Sequence, residues 1–469
     1  MISRVATVLL ALSTVAAPVA AQSARIVVIN GDAPGAGFND PTPAAPVGGN
    51  PGTTRGQQAL NVFQTAANRW AANLQSKQPI LVLARFLPLT CTATSAVLGS
   101  AGPNFSVRDV EPLAGGQPLE PGTWYPIALA EKLTRFDITT LVPPAAAFEI
   151  RTQFNSNLGQ PTCLTGSGWY FGLDNREPSG RIDLLSVVMH EFGHGLGVTV
   201  GPTSGASGAR SGGFPSVWER QMLDLSTGKR WLDMTNAERA ASAVNTNNLV
   251  WAGQKVTNVV PSVLDFGLRL AGIDPVFAPQ EVIASAFGPT VANGKGIGGY
   301  VVAPNDGGGT SLLDGCEPFP AGSPIPGTIV LVNRGACTFA SKVKNAQNAG
   351  ASAVFIANNA AGPLSPGGAD PTITIPSFGV TQAQGTQLRS YATPPLVSIG
   401  LDPQQRQGTS AGFARLFAPN LFQGGSSVSH FDVTLTPSVL MEPSITSDLT
   451  TKVKNPFDLT LALLRDIGW

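Results

Sequence analysis

The chain has 469 residues, which is long enough for two or three domains. Basic and acidic residues number 29 each, so the formal net charge is zero, and 12% of residues are charged. This balance argues against a nucleic-acid-binding surface and against a polybasic membrane-binding segment. The 53 glycines and 39 prolines predict a turn-rich, strand-rich protein rather than a helical bundle.

Residues 1–21 are predicted to be a secretory signal peptide. Arg4 precedes an apolar run from Val5 to Val19, and small residues precede a cleavage site before Gln22. The run is too short and too alanine-rich to be a convincing membrane span, and no later stretch reaches about 20 uninterrupted apolar residues. We therefore expect a secreted protein, either extracellular or periplasmic.

The segment 22–271 is predicted to combine strands and helices in an α+β arrangement. Alternating or continuous apolar residues predict strands at 25–30, 79–89, 147–154 and 168–173. Apolar residues spaced three or four apart predict a helix over 54–76. A second helix is expected to start near Gly180–Asp183 and to end at Gly195 and Gly197.

This second helix carries His190-Glu191-Phe192-Gly193-His194, which includes two of the chain's three histidines. Positions i and i+4 share one helix face, so both imidazoles can reach one Zn²⁺ at roughly 2.0–2.1 Å. Glu191 lies about 100° round the helix, where it can act as a general base toward a zinc-bound water without ligating the metal. The pattern predicts a zinc hydrolase, and the alternative is an amphipathic helix with structural histidines.

A catalytic zinc site normally takes three protein ligands, so a third ligand must come from elsewhere in the chain. The remaining histidine is His430, 236 residues after His194. The competing candidates are the carboxylates of Glu219 and Asp224, because a later helix supplies a glutamate ligand in thermolysin-like enzymes. Both ligand sets are chemically adequate.

The arrangement of these residues resembles the leishmanolysin-like metzincins. In that family a long insertion precedes the third histidine, and a methionine-containing turn lies beneath the metal. The resemblance implies that His430 is the third ligand, that Met441 is the turn residue, and that a twisted sheet packs on the active-site helix. The shorter form of the metzincin pattern would place its third histidine at Val200, so that form fails here.

The segment 272–405 differs in character from the rest and is predicted to be an inserted, β-rich α/β domain. The sequence of its central part predicts a strand from Gly327, a short helix over 340–350 and a strand over 353–357. Together these three elements would form a βαβ-like unit. It resembles the protease-associated domain, which implies contact with substrates or partners; a plain structural insertion is the alternative. The matching residues are Ile329, Leu331, Val332, Arg334-Gly335, Cys337, Phe339, Lys342, Ala346, Gly350-Ala351, Ala353-Val354 and Asn358.

Four cysteines in an exported chain favour disulfides, and their neighbourhood in the sequence favours Cys91–Cys163 and Cys316–Cys337. Loops such as Asn305-Asp306-Gly307 could bind a structural Ca²⁺, although loops of this composition are more often simply solvated.

Together these features predict a secreted zinc-dependent metalloendopeptidase with one catalytic Zn²⁺ held by His190, His194 and His430. Residues 22–271 and 406–469 would form the two parts of its catalytic domain. Protein or peptide substrates are the expected partners. The alternative is a secreted binding or adhesion protein with a catalytically silent, zinc-stabilised peptidase fold.

Overall fold

The computed structural model describes residues 22–469 except 94, 179, 292–295, 310, 361, 369 and 447–448. The predicted signal peptide therefore lies outside the described residues. Within the described part of the chain, no helix combines the length and apolar character needed to cross a membrane.

The helices and strands are numbered here in chain order. The α-helices are α1 (Arg55–Ala71), α2 (Ile127–Thr134), α3 (Leu184–Leu196), α4 (Asn236–Ser242), α5 (Gln254–Val263), α6 (Phe339–Asn348), α7 (Gln382–Ser390) and α8 (Thr460–Ile467). The strands are β1 (Ile26–Asn30), β2 (Ile80–Leu87), β3 (Gly99–Pro103), β4 (Ser106–Val107), β5 (Tyr125–Pro126), β6 (Ile150–Asn155), β7 (Trp169–Tyr170), β8 (Ile182–Asp183), β9 (Met222–Asp224), β10 (Lys229–Arg230), β11 (Leu249–Trp251), β12 (Phe266–Asp274), β13 (Val276–Ala284), β14 (Ile297–Val302), β15 (Ile329–Asn333), β16 (Ala353–Ala357), β17 (Ser377–Val380), β18 (Leu396–Arg406), β19 (Thr409–Ser410) and β20 (Phe413–Arg415).

The N-terminal part is built on a mixed four-stranded sheet with the order β1-β2-β6-β3. β1, β2 and β6 are parallel, and β3 runs antiparallel to β6 at one edge. Helix α1 crosses over between β1 and β2, capped by the Thr54 side chain, and buries Phe63 and Trp70 completely. The predicted helix is confirmed with an earlier end at Ala71, and the strands predicted at 25–30, 79–89 and 147–154 are confirmed. The strand predicted at 168–173 is only the two-residue β7, which pairs with β8 outside this sheet. The parallel pairs with a helical crossover make this an α/β arrangement, so the α+β prediction is corrected.

A second sheet brings together segments that are far apart in the sequence. Its order is β10-β9-β11-β20-β19, and β11 pairs antiparallel with β20, with Val250 opposite Arg415. Strands near residue 250 thus lie beside strands that follow residue 406. The chain between them leaves this sheet and returns to it.

The intervening chain forms a closed barrel with the order β12-β13-β17-β16-β15-β14-β18. Its first and last strands, β12 and β18, pair antiparallel, so the barrel begins and ends at the same place. The predicted βαβ unit is confirmed, because β15 and β16 are parallel neighbours joined through α6. The predicted insertion, 272–405, lies within the barrel strands, and the domain boundaries themselves remain a prediction.

Both predicted disulfides are confirmed. Cys91 bonds Cys163 with their Cα atoms 5.1 Å apart, and Cys316 bonds Cys337 with a Cα separation of 5.7 Å. The second bridge closes a sequence separation of 21 residues inside the barrel. Such a bridge stabilises the fold mainly by restricting the unfolded chain, by about 3 kcal/mol for a short loop.

Two buried glutamates should make the stability of the N-terminal part fall as the pH rises. Burial and the neighbouring Glu149 carboxyl raise the pKa of Glu131, and burial raises the pKa of Glu149, both above the ordinary value of 4.5. The folded state therefore binds protons more tightly than the unfolded state, which stabilises it below pH 4.5. This contribution is lost as the pH rises through the raised pKa values.

We expect Glu149→Gln to flatten this pH dependence. Between pH 5 and 8 the variant should lose less unfolding free energy than the wild type, by at least about 1.4 kcal/mol, the equivalent of one pKa unit. Denaturant unfolding at several pH values measures it. The exposed Glu111→Gln is the control and should follow the wild type; parallel curves for all three proteins would contradict the prediction.

Candidate metal centre

Helix α3 carries the two histidines and the glutamate of the predicted site. The Asp183 carboxylate caps its start by accepting hydrogen bonds from the Leu185 and Ser186 amides at 3.3 and 3.2 Å. Gly197 ends it with a φ of +126°, a conformation that favours glycine. The predicted start and end of this helix are confirmed.

Long-range hydrogen bonds from two tryptophans fix the position of α3. The Trp70 indole on α1 donates to the Met189 carbonyl at 3.0 Å, one residue before His190. The C-terminal Trp469 donates to the Leu196 carbonyl at 2.7 Å. The helix is therefore anchored at its middle and at its C-terminal end by chain that lies far away in the sequence.

His430 lies in a returning segment that packs beside the end of α3. The Val200 amide donates to the Ser429 hydroxyl at 3.0 Å. The returning segment therefore contacts Val200, the position at which the shorter metzincin pattern would have a histidine. The Phe431 amide donates to the Met441 carbonyl at 2.8 Å, which joins the returning segment to the following turn. The side chain of His430 is buried there.

The structure brings the three histidines together through their Nε2 atoms. The Nε2 of His194 lies 3.0 Å from that of His190 and 3.0 Å from that of His430, and the third separation is 3.2 Å. Three nitrogens on a tetrahedral zinc would lie roughly 3.3 Å apart for a Zn–N distance of about 2.05 Å. The triangle therefore has nearly the size that zinc requires.

The opposite ring nitrogens set the protonation of this triangle. Nδ1 of His190 lies 2.6 Å from the Leu440 carbonyl, and Nδ1 of His194 lies 2.6 Å from the Val198 carbonyl. Nδ1 of His430 lies 2.8 Å from the Ser426 carbonyl. A carbonyl only accepts, so each Nδ1 carries the proton, and in neutral rings all three Nε2 lone pairs point at one another. That arrangement is repulsive unless a cation lies between them.

Burial keeps these imidazoles neutral. It lowers the pKa of His190 to about 3 and that of His194 to about 4, and it lowers the pKa of His430 well below the ordinary value. Neutral imidazole is the form that binds a metal, so at neutral pH the three rings need lose no proton to do so.

Glu191 directly follows His190 in the sequence. Its side chain is buried and contacts the edge strand β3. Burial raises the pKa of its carboxyl to about 8, and a backbone hydrogen bond from Ala101 on β3 opposes the shift. A nearby dication would lower this pKa again. Its Oε2 is buried and has no hydrogen-bond partner among the described residues. An orphaned buried oxygen of this kind fits a site that holds a water or a metal-linked group.

Glu219 and Asp224, the alternative candidates for the third ligand, form hydrogen bonds and ion pairs with other residues. Glu219 pairs with Arg210 at 2.8 Å and accepts a hydrogen bond from the Ser216 amide. Asp224 accepts from Ser226 and Asn245. Among the described residues, the histidine cluster includes His430 and neither of these carboxylates. That the three histidines ligate zinc remains a prediction from this geometry.

Sequence analysis did not identify the residues that orient the histidines. Three of them, Leu440, Val198 and Ser426, act through backbone carbonyls, which every residue type has. Gly193 is a further case, because a Cβ at this position would lie 2.6 Å from the Met441 sulfur. An alanine here would force Met441 to shift, so the close approach of α3 to the Met441 turn favours glycine. The spacing of the motif alone gives no reason for it.

Replacing this glycine should disturb the site without removing a ligand. In Gly193→Ala the new methyl group pushes on Met441, and the displacement reaches the adjacent Leu440 carbonyl that orients His190. We expect a destabilisation of about 1–3 kcal/mol and zinc affinity reduced about 10- to 100-fold, measured by urea unfolding and metal competition. Gly400→Ala is the control, since its Cβ would meet no atom within 4 Å; equal behaviour of the two variants would contradict the prediction.

Comparisons with known proteins find a match inside the barrel. Residues 288–388 match the family model of the PA domain, and this range is called the PA segment below. The chain is 36% identical over 190 residues to the probable lipoprotein aminopeptidase LpqL of Mycobacterium tuberculosis, covering 37% of this chain and 36% of that protein. It is 33% identical over 120 residues to vacuolar-sorting receptor 5 of Arabidopsis thaliana, covering 24% and 19%.

Among solved structures, the zinc aminopeptidase BSAP from Bacillus subtilis is 21% identical, with 33% of this chain and 39% of that chain covered at a TM-score of 0.24. This chain also spans only about a third of the length of the curated aminopeptidase that it matches.

These comparisons correct the family assignment. The resemblance to leishmanolysin-like metzincins rested on the order of a few motif residues, whereas the extended sequence match is to a protein named as an aminopeptidase. The convergence of the three histidines is a property of this structure and does not depend on either family name. The similarity supported here is to PA-domain-containing aminopeptidases, and the assignment to the leishmanolysin-like metzincins is wrong.

Proposed function

We propose that this protein is a zinc-dependent peptidase that hydrolyses peptide bonds. The observation that carries the proposal is the convergence of three unprotonated Nε2 atoms, from His190, His194 and His430, within 3.2 Å of one another. Three neutral histidine nitrogens are the protein ligand set of many catalytic zinc sites, whereas structural sites usually take four protein ligands. The aminopeptidase name of a 36% identical relative supports the same class of reaction.

Each residue of the site has a distinct role in the proposed hydrolysis. The chemistry that zinc supplies when bound is Lewis acidity toward the attacking water and the scissile carbonyl. The three imidazoles would hold the metal in their neutral form. Glu191 accepts the proton of the attacking water at a carboxylate oxygen and returns it to the leaving amine nitrogen. Its burial keeps that proton from escaping to bulk water.

One zinc per chain fits the site better than a pair. The histidine cluster contains no carboxylate within the described part of the chain. A two-metal site needs further oxygen ligands and holds its ions about 3.5–4 Å apart. We therefore propose a single catalytic Zn²⁺, and metal analysis of the purified protein distinguishes one ion from two.

The edge strand favours endopeptidase action. β3 pairs with β6 on one side and forms the edge of its sheet in the described structure. Its Ala101 amide also faces the Glu191 carboxylate. An extended peptide could add to such an edge through main-chain hydrogen bonds on both sides of the bond to be cut. This geometry requires no free N-terminus on the substrate.

Aminopeptidase action is the second candidate, and the name of the relative LpqL favours it. An aminopeptidase must recognise the free α-amine of its substrate, which is best served by a carboxylate near the metal. The two specificities therefore differ in whether blocking the N-terminus of a peptide abolishes cleavage.

Two substrates measured side by side test both proposals. One is an internally quenched peptide with an acetylated N-terminus, and the other is an aminoacyl-p-nitroanilide with a free amine. Cleavage of the blocked peptide that is lost with 1,10-phenanthroline and regained with Zn²⁺ supports a zinc endopeptidase. Cleavage of the free-amine substrate alone supports an aminopeptidase. Zinc binding without cleavage of either would overturn the enzyme proposal and favour a silent binding or adhesion protein.

We further propose that the protein acts outside the cytoplasm. The disulfides Cys91–Cys163 and Cys316–Cys337 favour an oxidising compartment. The relative LpqL is named as a lipoprotein. Alkylation of free thiols in protein taken directly from the producing cells would test the oxidation state: unmodified cysteines support the proposal.

A further inference from the structure

Three carboxylates converge in the PA segment, far in sequence from the histidine site. Asp306, Asp314 and Glu317 each offer an oxygen, and these three oxygens lie within 4.8 Å of one another. Asp306 is 2% exposed and Asp314 is 3% exposed, so two of the three carboxylates are almost fully buried. Glu317 is half-buried at the outer side of the cluster.

The hydrogen bonds of this cluster leave two buried oxygens without partners. The Oδ2 of Asp306 accepts from the Gly315 amide at 2.7 Å, and the Oδ1 of Asp314 accepts from the Cys316 amide at 3.0 Å. Oδ1 of Asp306 and Oε2 of Glu317 are buried and accept no hydrogen bond from any described residue. A buried charged oxygen without a partner is unfavourable, so each requires a partner that the described residues do not supply.

One buried cation, Lys342 on α6, lies nearby but does not neutralise the cluster. Its Nζ donates to the Asp314 carbonyl at 2.7 Å and contacts Cys316 Sγ at 3.1 Å, whereas none of its described hydrogen bonds goes to a carboxylate. Three carboxylates and one ammonium carry a net charge of about −2, and two of the three carboxylates are almost fully buried. A divalent cation would cancel that charge.

We propose that Asp306, Asp314 and Glu317 form a binding site for Ca²⁺. Calcium takes oxygen ligands at about 2.3–2.6 Å, so oxygens around one ion lie up to roughly 5 Å apart, as the three do here. A set made only of oxygens favours Ca²⁺ or Mg²⁺ over Zn²⁺, which prefers nitrogen and sulfur. Backbone carbonyls and water would complete the coordination, as is usual for calcium.

The site would join several parts of the PA segment. Asp314 and Glu317 flank Cys316, which is bonded to Cys337, and Lys342 belongs to the helix that follows this second cysteine. A bound ion would therefore hold the loop that contains Asp306 against the disulfide and α6. Its effect should be structural, and it should leave the chemistry at the three histidines unchanged.

Calcium binding to the full-length protein, loaded with zinc, tests the proposal. After dialysis against calcium-free buffer, titration with CaCl₂ by calorimetry should show one ion per chain, and the melting temperature should rise with CaCl₂ concentration. In Asp306→Asn the affinity should fall at least about tenfold. Glu317→Gln, on the half-buried side, should weaken binding as well and serves as the second variant if Asp306→Asn fails to fold.

The matched control is Asp370→Asn, which removes a carboxylate from the same segment but keeps an oxygen to accept the Thr372 hydrogen bonds. It should bind calcium as the wild type does. No heat and no rise in melting temperature at millimolar CaCl₂ would overturn the proposal, as would equal affinity in the wild type and both cluster variants. Titration with MgCl₂ instead identifies the ion: tighter magnesium binding would overturn the assignment to calcium. None of these measurements uses peptidase activity, so they stand apart from the proposed function.

Discussion

Glu191→Gln should lower kcat for peptide hydrolysis by about 10²–10⁴-fold, the usual contribution of a general base. The amide of glutamine has nearly the shape of the carboxylate but cannot accept the proton of the attacking water. Zinc content should stay that of the wild type, because Glu191 is not one of the three converging histidines proposed as ligands. KM should change little, since the residue acts on the water rather than on the bound peptide.

Steady-state kinetics and metal analysis on the same preparation measure this outcome. Glu177→Gln is the matched control, because Glu177 is exposed in the loop before α3 and should tolerate the change without effect on kcat. A Glu191→Gln protein that keeps zinc and full activity would eliminate Glu191 as the base. Loss of zinc in that variant would instead indicate that Glu191 ligates the metal.

Local features of the fold could be predicted from the sequence because the sequence encodes them locally. Helix α3 begins at a capping aspartate and ends at a glycine with positive φ, and both residue types are recognisable in the sequence. The disulfides followed from cysteines placed inside single segments. The spacing of His190 and His194 determined that both rings would face the same side of the helix.

The arrangement of the sheets was harder to predict, because it depends on pairings between distant segments. Nothing near Val250 indicates that Arg415 lies opposite it. The parallel order of β1, β2 and β6 is likewise a property of the crossovers rather than of any single strand. This is why the strands were predicted but the α+β class was not correct.

The orientation of the histidine rings could not be predicted for a similar reason. Backbone carbonyls of Leu440, Val198 and Ser426 accept hydrogen bonds from the Nδ1 atoms. Every residue type has such a carbonyl, so the sequence does not show which residues will act in this way. The acidic cluster shows the same limit. Asp306 lies in a loop whose composition suits calcium binding. Its proximity to Asp314 and Glu317, however, depends on how the barrel folds around the Cys316–Cys337 disulfide.

The corrected family assignment has a physical explanation. A five-residue helical motif with two histidines and a glutamate satisfies the geometry of one zinc ion, and unrelated folds can arrive at it for that reason. The order of a few such residues along the chain therefore says more about chemistry than about ancestry. The extended match to an aminopeptidase is the stronger guide to relatives, and the ring geometry is the stronger guide to the metal.

His430→Ala should remove most of the zinc from the purified protein. An apparent zinc-binding free energy of about 10–16 kcal/mol over four ligands corresponds to roughly 3 kcal/mol per ligand, or about 10²-fold in affinity. The remaining two histidines lie one helical turn apart and give the ion no third protein ligand in the described structure. We expect close to one zinc per chain in the wild type and a marked loss in the variant, measured by elemental analysis after dialysis against a weak chelator.

The matched controls are Glu219→Gln and Asp224→Asn, which remove the carboxylates that compete with His430 as the third ligand. Because both carboxylates already hydrogen-bond elsewhere, these variants should retain zinc even where they lower stability. Full zinc in His430→Ala together with zinc loss in either control would move the site to that carboxylate. Such a result would also separate the metal from the returning segment, and the barrel would then no longer lie between two ligands of the same ion.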